Sequence, residues 1–326
     1  MQYVTLGRSQ AKVSRLCLGT MNFGPVIDEH DSFAILDAAV DAGINFVDTA
    51  DVYGSGPFGD QYGQSEEILG QWLGRRGPRG REQIFLATKV HGPMGTGPND
   101  EGLSAVHIRH AVEASLRRLQ TDYIDLYQMH HIVRAASVEE IFEAFSVLRQ
   151  QGKVLYFGSS NFPAWQLSRY QQYAEHLGMF GLASEQALYN LARRTVELEV
   201  IPSARHYGLG LIPWSPLGAG LLGGLLAKSE RSRSAKTLAA LDDDQRDRVR
   251  RYEEFAEQIG VPPAELALAW LLHRPAVTAP IVGPRTLSQL HSGIRALEVD
   301  LDDDQLAELD RIWPGPGGEA PEAYSW

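Results

Sequence analysis

Four residues in the first half of the chain carry side chains that can give, take or stabilise a proton: the carboxylate of Asp48, the phenol of Tyr53, the amine of Lys89 and the imidazole of His130. Asp48, Lys89 and His130 each close a short β-type run, and Tyr53 follows Asp48 by five residues. Lys89 is the sharpest hint. Basic positions here are overwhelmingly Arg, yet an amine ends the apolar run Ile84–Thr88, where a compact, tunable charge differs chemically from a guanidinium. Taken singly, each residue also has a plain reading, a Lys that snorkels to solvent or a hydrogen-bonded structural His. Their shared position at strand ends is what joins them. His130 and His131 are adjacent, so a strand sends them to opposite faces and they cannot share a metal ion; no metal site is expected.

The elements that must gather these residues follow from a rhythm along the chain. Short β-type runs alternate with longer amphipathic segments, the pattern of a parallel sheet built from βα units. Eight runs are read: Leu16–Gly19, Asn45–Asp48, Ile84–Lys89, Ile124–His130, Tyr156–Ser159, Leu182–Gln186, Gly210–Trp214 and Ala279–Gly283. Helical patterns include Ser32–Ala42, Ser65–Leu73, Val106–Leu119, Val138–Gln151, Ala164–His176, Val196–Tyr207, Thr286–Leu297 and Asp302–Ile312. The runs recur every roughly 38 residues, somewhat above the compact unit of a (β/α)₈ barrel. The excess falls in Thr49–Gly63, Val90–Leu103 and Ser215–Leu241, connections that follow strands and so belong to the C-terminal face, where barrel chemistry occurs. Tyr3–Leu6 and Val13–Ser14 read as a hairpin, within residues 1–15, that closes the other end. The expected fold is therefore α/β, a (β/α)₈ TIM barrel with an N-terminal β-hairpin, long C-terminal-face loops and an irregular tail over 314–326, one domain across 1–326. A doubly wound sheet is the alternative. In a barrel the second, third and fourth strands are neighbours, which brings Asp48, Lys89 and His130 to one mouth.

Composition narrows the partners. The 326 residues are 44% hydrophobic and 22% charged, a globular balance, and 30 basic against 41 acidic residues leave a net charge of −11, which argues against nucleic acid as a partner. No run approaches the roughly 20 apolar residues needed to cross a bilayer, and Met1–Arg8 lacks the order of a signal peptide. The single Cys17 excludes an intrachain disulfide framework, making the cytoplasm the expected setting. Homo-oligomerisation is left open. Gly54–Gly59 matches the letters of a dinucleotide-binding turn but does not join a strand directly to a helix, so it reads as a loop.

With these residues in place the sequence resembles the aldo-keto reductases over nearly its whole length. The resemblance is carried by Leu18-Gly-Thr-Met-Asn-Phe-Gly24, Asn45-Phe-Val-Asp-Thr-Ala-Asp-Val-Tyr53, Leu86-Ala-Thr-Lys89, Asp122-Tyr-Ile-Asp-Leu-Tyr-Gln-Met-His130, Gly158-Ser-Ser-Asn-Phe162, Ser184-Glu-Gln186 and Pro213-Trp-Ser-Pro-Leu217. It implies a catalytic tetrad of Asp48, Tyr53, Lys89 and His130 and an NADPH bound across the strand ends. It further implies cofactor contacts from Thr20 and Met21, from Ser160, Asn161 and Gln186 on the carboxamide, and from Trp214 stacked on the nicotinamide. Ser215, Leu217, Gly218 and Gly220 would embrace the pyrophosphate, Arg285 and Gln289 would contact the adenosine 2′-phosphate, and Gly283, which opens that stretch, is a further cofactor contact. That phosphate contact implies NADPH over NADH. The chain departs from the family in having Ser292-Gly293 where a Glu-Asn pair often grips adenine.

The chemistry so implied is reduction of a small-molecule carbonyl compound. Hydride addition leaves an alkoxide, so a proton donor must stand within reach of that oxygen. Tyr53 is the implied donor, Lys89 the cation that lowers its pKa, Asp48 the group that orients Lys89, and His130 the group that aims the substrate oxygen. Phe23, Val90 and Trp326 are expected to line an apolar substrate pocket. Met129–Arg134, Tyr189–Arg194 and the tail resemble actinobacterial reductases of secondary metabolism, including antibiotic biosynthesis, which act on nucleotide-linked keto-sugars or polyketide ketones. The alternatives are a cofactor-binding regulatory protein on the same fold, like the potassium-channel β subunits, and a non-redox barrel enzyme that binds no nicotinamide.

Overall fold

The computed structural model describes residues 1–54, 61–227 and 237–324. Of the stretch Gly54–Gly59 only Gly54 falls within them, and Trp326 lies outside the described residues.

The chain begins with a hairpin, β1 (Tyr3–Thr5) antiparallel to β2 (Lys12–Ser14). Eight parallel strands follow: β3 (Cys17–Gly19), β4 (Phe46–Asp48), β5 (Phe85–Val90), β6 (Ile124–Met129), β7 (Val154–Ser160), β8 (Leu182–Leu188), β9 (Gly210–Trp214) and β10 (Ile281–Val282), in the order β10-β3-β4-β5-β6-β7-β8-β9. The gap between β9 and β10 is spanned by a Leu211–Val277 bridge and by the Thr278 N–H on the Leu211 carbonyl at 2.8 Å. The (β/α)₈ barrel expected from the sequence is therefore present, and every strand lies within two residues of its sequence reading.

The helices around it are α1 (Glu29–Asp41), α2 (Gln64–Glu82), α3 (Ala105–Leu119), α4 (Val138–Gln150), α5 (Ala164–His176), α6 (Val200–Tyr207), α7 (Asp243–Gln258), α8 (Pro263–Leu272), α9 (Leu287–Arg295) and α10 (Asp303–Ile312). Several starts are written in the sequence: the side chains of Asp28, Ser104, Ser137 and Thr286 each accept the N–H three residues on, satisfying a donor the helix itself cannot. α2 continues to Glu82 because the chain resumes a helical course after Gly77, whose φ of 65° breaks the apolar period at a Gly-Pro pair. α7 and α8 escape a periodicity reading for opposite reasons. α7 buries only Val249, Tyr252 and Ala256 on an otherwise charged helix, whereas α8 is buried almost all round. No helix among the described residues is long and apolar enough to cross a membrane.

Period-two alternation divides the strand side chains between two cores. Val47, Leu86, Val90, Tyr127 and Phe157 face the helices. Cys17, Phe46, Phe85, Ala87, Leu126 and Ile212 fill the barrel interior, where Leu6 and Val13 of the hairpin close it from below. The described part of the tail folds along α6 and the residues just before it, with the Ala320 N–H on the Leu198 carbonyl at 3.0 Å and Glu319 paired with Arg205.

The hairpin approaches β9 so closely that position 7 tolerates only glycine. Gly7 has φ 54°, and a Cβ there would lie 2.4 Å from the Gly208 carbonyl oxygen and 2.5 Å from the Gly210 nitrogen. Gly7→Ala is expected to lower stability by more than about 1 kcal/mol, read from urea unfolding; an unchanged midpoint would show that the plug is not held as described.

Candidate active site

Alternation also places the chemistry. Phe46 points into the barrel and so does Asp48, two residues on; Phe85, Ala87 and Lys89 share the inner side of β5 in the same way. Above the apolar floor this brings two charged groups into a sealed interior, Lys89 with no solvent exposure and Asp48 with 1%. An ammonium has three N–H donors, and Lys89 uses all three: on Asp48 Oδ1, on the Thr49 carbonyl at 2.8 Å and on the Tyr53 hydroxyl at 3.1 Å. Asp48 Oδ2 accepts from Gln128 Nε2 and Gln186 Nε2, both at 2.9 Å. The Asp48 carbonyl takes the N–H and hydroxyl of Thr20 at 3.0 and 3.2 Å.

Tyr53 reaches this cluster because the chain turns sharply after β4: the Tyr53 N–H bonds the Ala50 carbonyl at 3.2 Å and the Asp51 N–H bonds the Lys89 carbonyl at 3.3 Å. His130 lies one residue past β6, its N–H on the Val90 carbonyl at 2.9 Å, and its ring stands edge-on to Tyr53 with centroids 5.8 Å apart. The four residues singled out in the sequence thus meet at one mouth. His130 and His131 do not point to opposite faces, however. The strand ends at Met129, and beyond it the two imidazoles stack at 5.0 Å with 8° between planes, while His131 meets His91 edge-on at 5.4 Å.

Burial sets the protonation states. It pulls the His130 imidazole well below its ordinary value, and Lys89, His131 and His91 push the same way, so the ring is neutral at pH 7. Burial also pulls on the Lys89 ammonium, but Asp48 and Tyr53 outweigh it and hold the group above its ordinary value, charged. For Tyr53 the sequence expectation needs correction. Lys89 does pull the phenol down, yet burial is the larger influence and the net direction is upward.

The residues expected at a cofactor lie along the same C-terminal rim. Ser160 donates its hydroxyl to the Gln186 carbonyl at 2.9 Å, and Asn161 accepts the Trp214 indole N–H at 3.0 Å, fixing the ring. Ser215, Gly218, Ala219 and Gly220 all have positive φ, a looped path that Asn190 steadies through the Ser215 carbonyl at 2.9 Å. Leu217 and Arg285 are half-buried, Gly220, Gly283 and Gln289 exposed, and Gln289 accepts the Arg285 N–H at 2.7 Å. Met21 is 41% exposed, whereas Thr20 and Gln186 are buried, and both grip Asp48. Ser292 gives its hydroxyl to Glu265 of α8 at 2.9 Å.

Two of the residues expected to form a substrate pocket do not stand at the mouth. Val90 follows inward-facing Lys89 and so points to the helix layer, and Phe23 is packed in that same layer, both with no exposure. Half-buried His91, exposed His131 and Met21 occupy the rim instead. Sequence reading also passes over Gln128 and Glu185. Gln128 is signalled by its place two residues before His130 on the inner side of β6, opposite Lys89 in register.

An eight-stranded parallel barrel with a buried Asp-Lys-Tyr cluster at its C-terminal mouth defines the class, a (β/α)₈ barrel whose titratable groups gather at the face where barrel chemistry occurs. The profile of the aldo/keto reductase family matches residues 15–314, and the chain belongs to that family. It is an oxidoreductase by that membership, in a family whose members typically use nicotinamide cofactors. It is 49% identical to the uncharacterized oxidoreductase YrpG of Bacillus subtilis, across the whole of both chains. It is 38% identical to a probable voltage-gated potassium channel subunit beta of Oryza sativa over 92% of each chain, and 35% identical to the norsolorinic acid reductase stcV of Emericella nidulans over 93% of this chain and 79% of that one. The finer likeness to actinobacterial secondary-metabolite reductases gains no support from these relatives.

Glu185 titrates in an accessible window. It is fully buried, and burial pushes its carboxyl up to about 8, against hydrogen bonds from Ser159 and the Phe162 and Asn161 backbone that pull it down. Because the folded pKa is raised, its contribution to stability is complete below about 4.5 and is lost as pH rises to about 8. Stability is expected to fall across that window by up to about 1.4 kcal/mol per pH unit, measured by urea unfolding, with a flatter profile for Glu185→Gln; parallel profiles would place the titration elsewhere.

Proposed function

We propose that this chain reduces an aldehyde or ketone to the alcohol with NADPH, Tyr53 giving the proton. One observation carries the reading: the buried Lys89 ammonium donates at once to Asp48 and to the Tyr53 hydroxyl. Since the Tyr53 oxygen accepts from Lys89, its own O–H is left to donate outward. When bound, the reduced nicotinamide supplies the hydride. As the substrate oxygen gains negative charge, the O–H bond of Tyr53 would break toward it, and the phenolate left behind would face the Lys89 cation. Neutral His130 offers an N–H to the same substrate oxygen without adding charge. Tyr53 regains its proton from solvent.

The residues present suit a dinucleotide. The indole of Trp214 is pinned beside the tetrad, Asn161 and Ser160 offer polar groups next to it, the backbone from Ser215 to Gly220 forms an open looped cradle, and Arg285 stands at the start of α9. A guanidinium there suits a 2′-phosphate, which is the basis for NADPH rather than NADH. For the substrate, the proposed class is a polyketide ketone or a keto-sugar, and the norsolorinic acid reductase among the relatives supports carbonyl reduction in general. The cytoplasm is the proposed setting. The second reading, a cofactor-binding regulatory subunit with little turnover, is favoured by the potassium-channel relative; the complete tetrad favours the enzyme.

Tyr53→Phe is expected to lower kcat by at least about 100-fold on a panel of aldehydes and ketones while the Kd for NADPH changes little. Wild-type turnover in that variant would remove Tyr53 from its role, and NADPH binding without turnover in the unaltered protein would favour the regulatory subunit. Arg285→Ala is expected to raise KM for NADPH by about tenfold and leave KM for NADH nearly unchanged; equal kcat/KM for the two cofactors in the unaltered protein counts against the phosphate role.

A further inference from the structure

Two consecutive residues of β8 work on opposite sides of the sheet. Gln186 faces the barrel and holds Asp48, while Glu185 faces the helices, is fully buried, and has no part in the proton transfer described above. Its Oε1 accepts the Phe162 N–H at 2.9 Å and its Oε2 the Ser159 hydroxyl at 2.5 Å. Those partners bracket Ser160 and Asn161. Asn161 sits at φ 59°, a left-handed conformation that costs a residue with a Cβ unless its surroundings impose it.

What Asn161 does there explains why the bend has to be imposed. Its Oδ1 accepts the Trp214 indole N–H at 3.0 Å, and its Nδ2 donates to the His130 carbonyl at 3.3 Å and the Ser160 hydroxyl at 3.0 Å. One amide therefore connects the indole, the backbone of a tetrad residue and the end of β7. From the barrel side the bend is held by the Gln186 carbonyl, which accepts the Asn161 N–H at 3.0 Å and the Ser160 hydroxyl at 2.9 Å. From the helix side only a side chain can do it. Phe162 is 2% exposed and is followed by Pro163, which has no N–H, so the Phe162 N–H is the last backbone donor at the bend and needs a buried acceptor.

We propose that Glu185 is a positioning residue for the nicotinamide end of the cofactor site: its carboxyl clamps the Ser159–Phe162 bend so that Asn161 holds the Trp214 indole in register with the tetrad. The inference rests on the NADPH reading above for its consequence, though not for its geometry. The clamp needs length and an acceptor rather than a charge. Gln keeps both, since its amide oxygen can take the Phe162 N–H and its NH₂ can donate to Ser159, whose hydroxyl already lies 3.4 Å from the Ser184 carbonyl. Asp is a methylene short and cannot reach Phe162 and Ser159 together.

The test compares Glu185→Gln with Glu185→Asp by three readouts: the Trp214 indole N–H resonance in cofactor-free protein, identified by its loss in Trp214→Phe, the Kd for NADPH from fluorescence titration, and kcat at saturating NADPH. Glu185→Gln should match the unaltered protein in all three. Glu185→Asp should shift the indole resonance and raise Kd about tenfold, the loss of one buried hydrogen bond, with kcat at saturation nearly kept. An unmoved resonance and unchanged Kd in Glu185→Asp, or a fall in kcat with Kd unchanged, overturns the proposal. If the unaltered protein binds no NADPH, the cofactor reading fails by that result alone, while the indole resonance still decides whether Glu185 sets the bend.

Discussion

A lysine ammonium with no exposure to solvent must find inside the protein everything water would have given it. Lys89 finds a carboxylate, a carbonyl and a phenol, one for each N–H, and the rest of the barrel mouth follows from keeping those three in place. Removing any one would leave a buried donor unpaired, which costs more than the bond itself contributes. The demand spreads outward through Asp48. With one oxygen committed to Lys89, the other is shared by Gln128 and Gln186, so β4, β5, β6 and β8 each send one inward side chain to a single ion pair. The arrangement is cooperative, since no one of the four strands can shift along its neighbour without breaking a bond at the centre.

The outer side of the sheet is braced to match. β5 carries Lys89 inward and, on its other face, is tied to the helices at both ends. Near its start, Asp125 Oδ2 accepts the Leu86 N–H at 2.9 Å and pairs with Arg81 at 2.7 Å, and Arg81 also donates to the Ile84 and Tyr123 carbonyls. Near its end, the Thr88 hydroxyl donates to Glu66 at 2.6 Å, and Glu66 pairs with Arg118 of α3 at 2.7 Å. Buried pairs of this kind contribute little net stability compared with well-packed apolar residues, but they fix register, and register decides which side chain of β5 meets Asp48.

Asp48, Lys89 and His130 are legible in the sequence because each stands at the end of a short apolar run, and a period of two then tells which neighbours accompany them. That same period tells Val90 apart from Lys89, and applied one residue further it would have removed Val90 from the mouth. Period alone does not reach residues beyond a strand end. His131 stacks on His130 because the backbone has already left the strand there, a turn that leaves no pattern in residue types. Glu185 is legible only as a carboxylate in an apolar run; its meaning depends on the N–H of Phe162, which belongs to another segment. The tail is similar, since what docks it is the Leu198 carbonyl and Arg205, neither of which differs in type from an exposed residue.

The direction of the Tyr53 shift bears on which way the proposed reaction is poised. A phenol held below its ordinary value would be easier to deprotonate, which suits taking a proton from an alcohol. Here burial pushes the phenol up despite Lys89, so at neutral pH it carries its proton and is loaded as a donor. In the proposed reaction donation would be eased as it happened, because the phenolate formed would face an ammonium that is itself held charged by Asp48. A neutral imidazole completes the asymmetry. In the proposed reaction His130 could hydrogen-bond a substrate oxygen, while its low basicity would keep it from taking the proton assigned to Tyr53. In the proposed reaction the one buried cation would give the protonated phenol a single hydrogen bond before the transfer and stabilise its anion far more strongly after it, and that difference is what the sealed mouth of the barrel preserves.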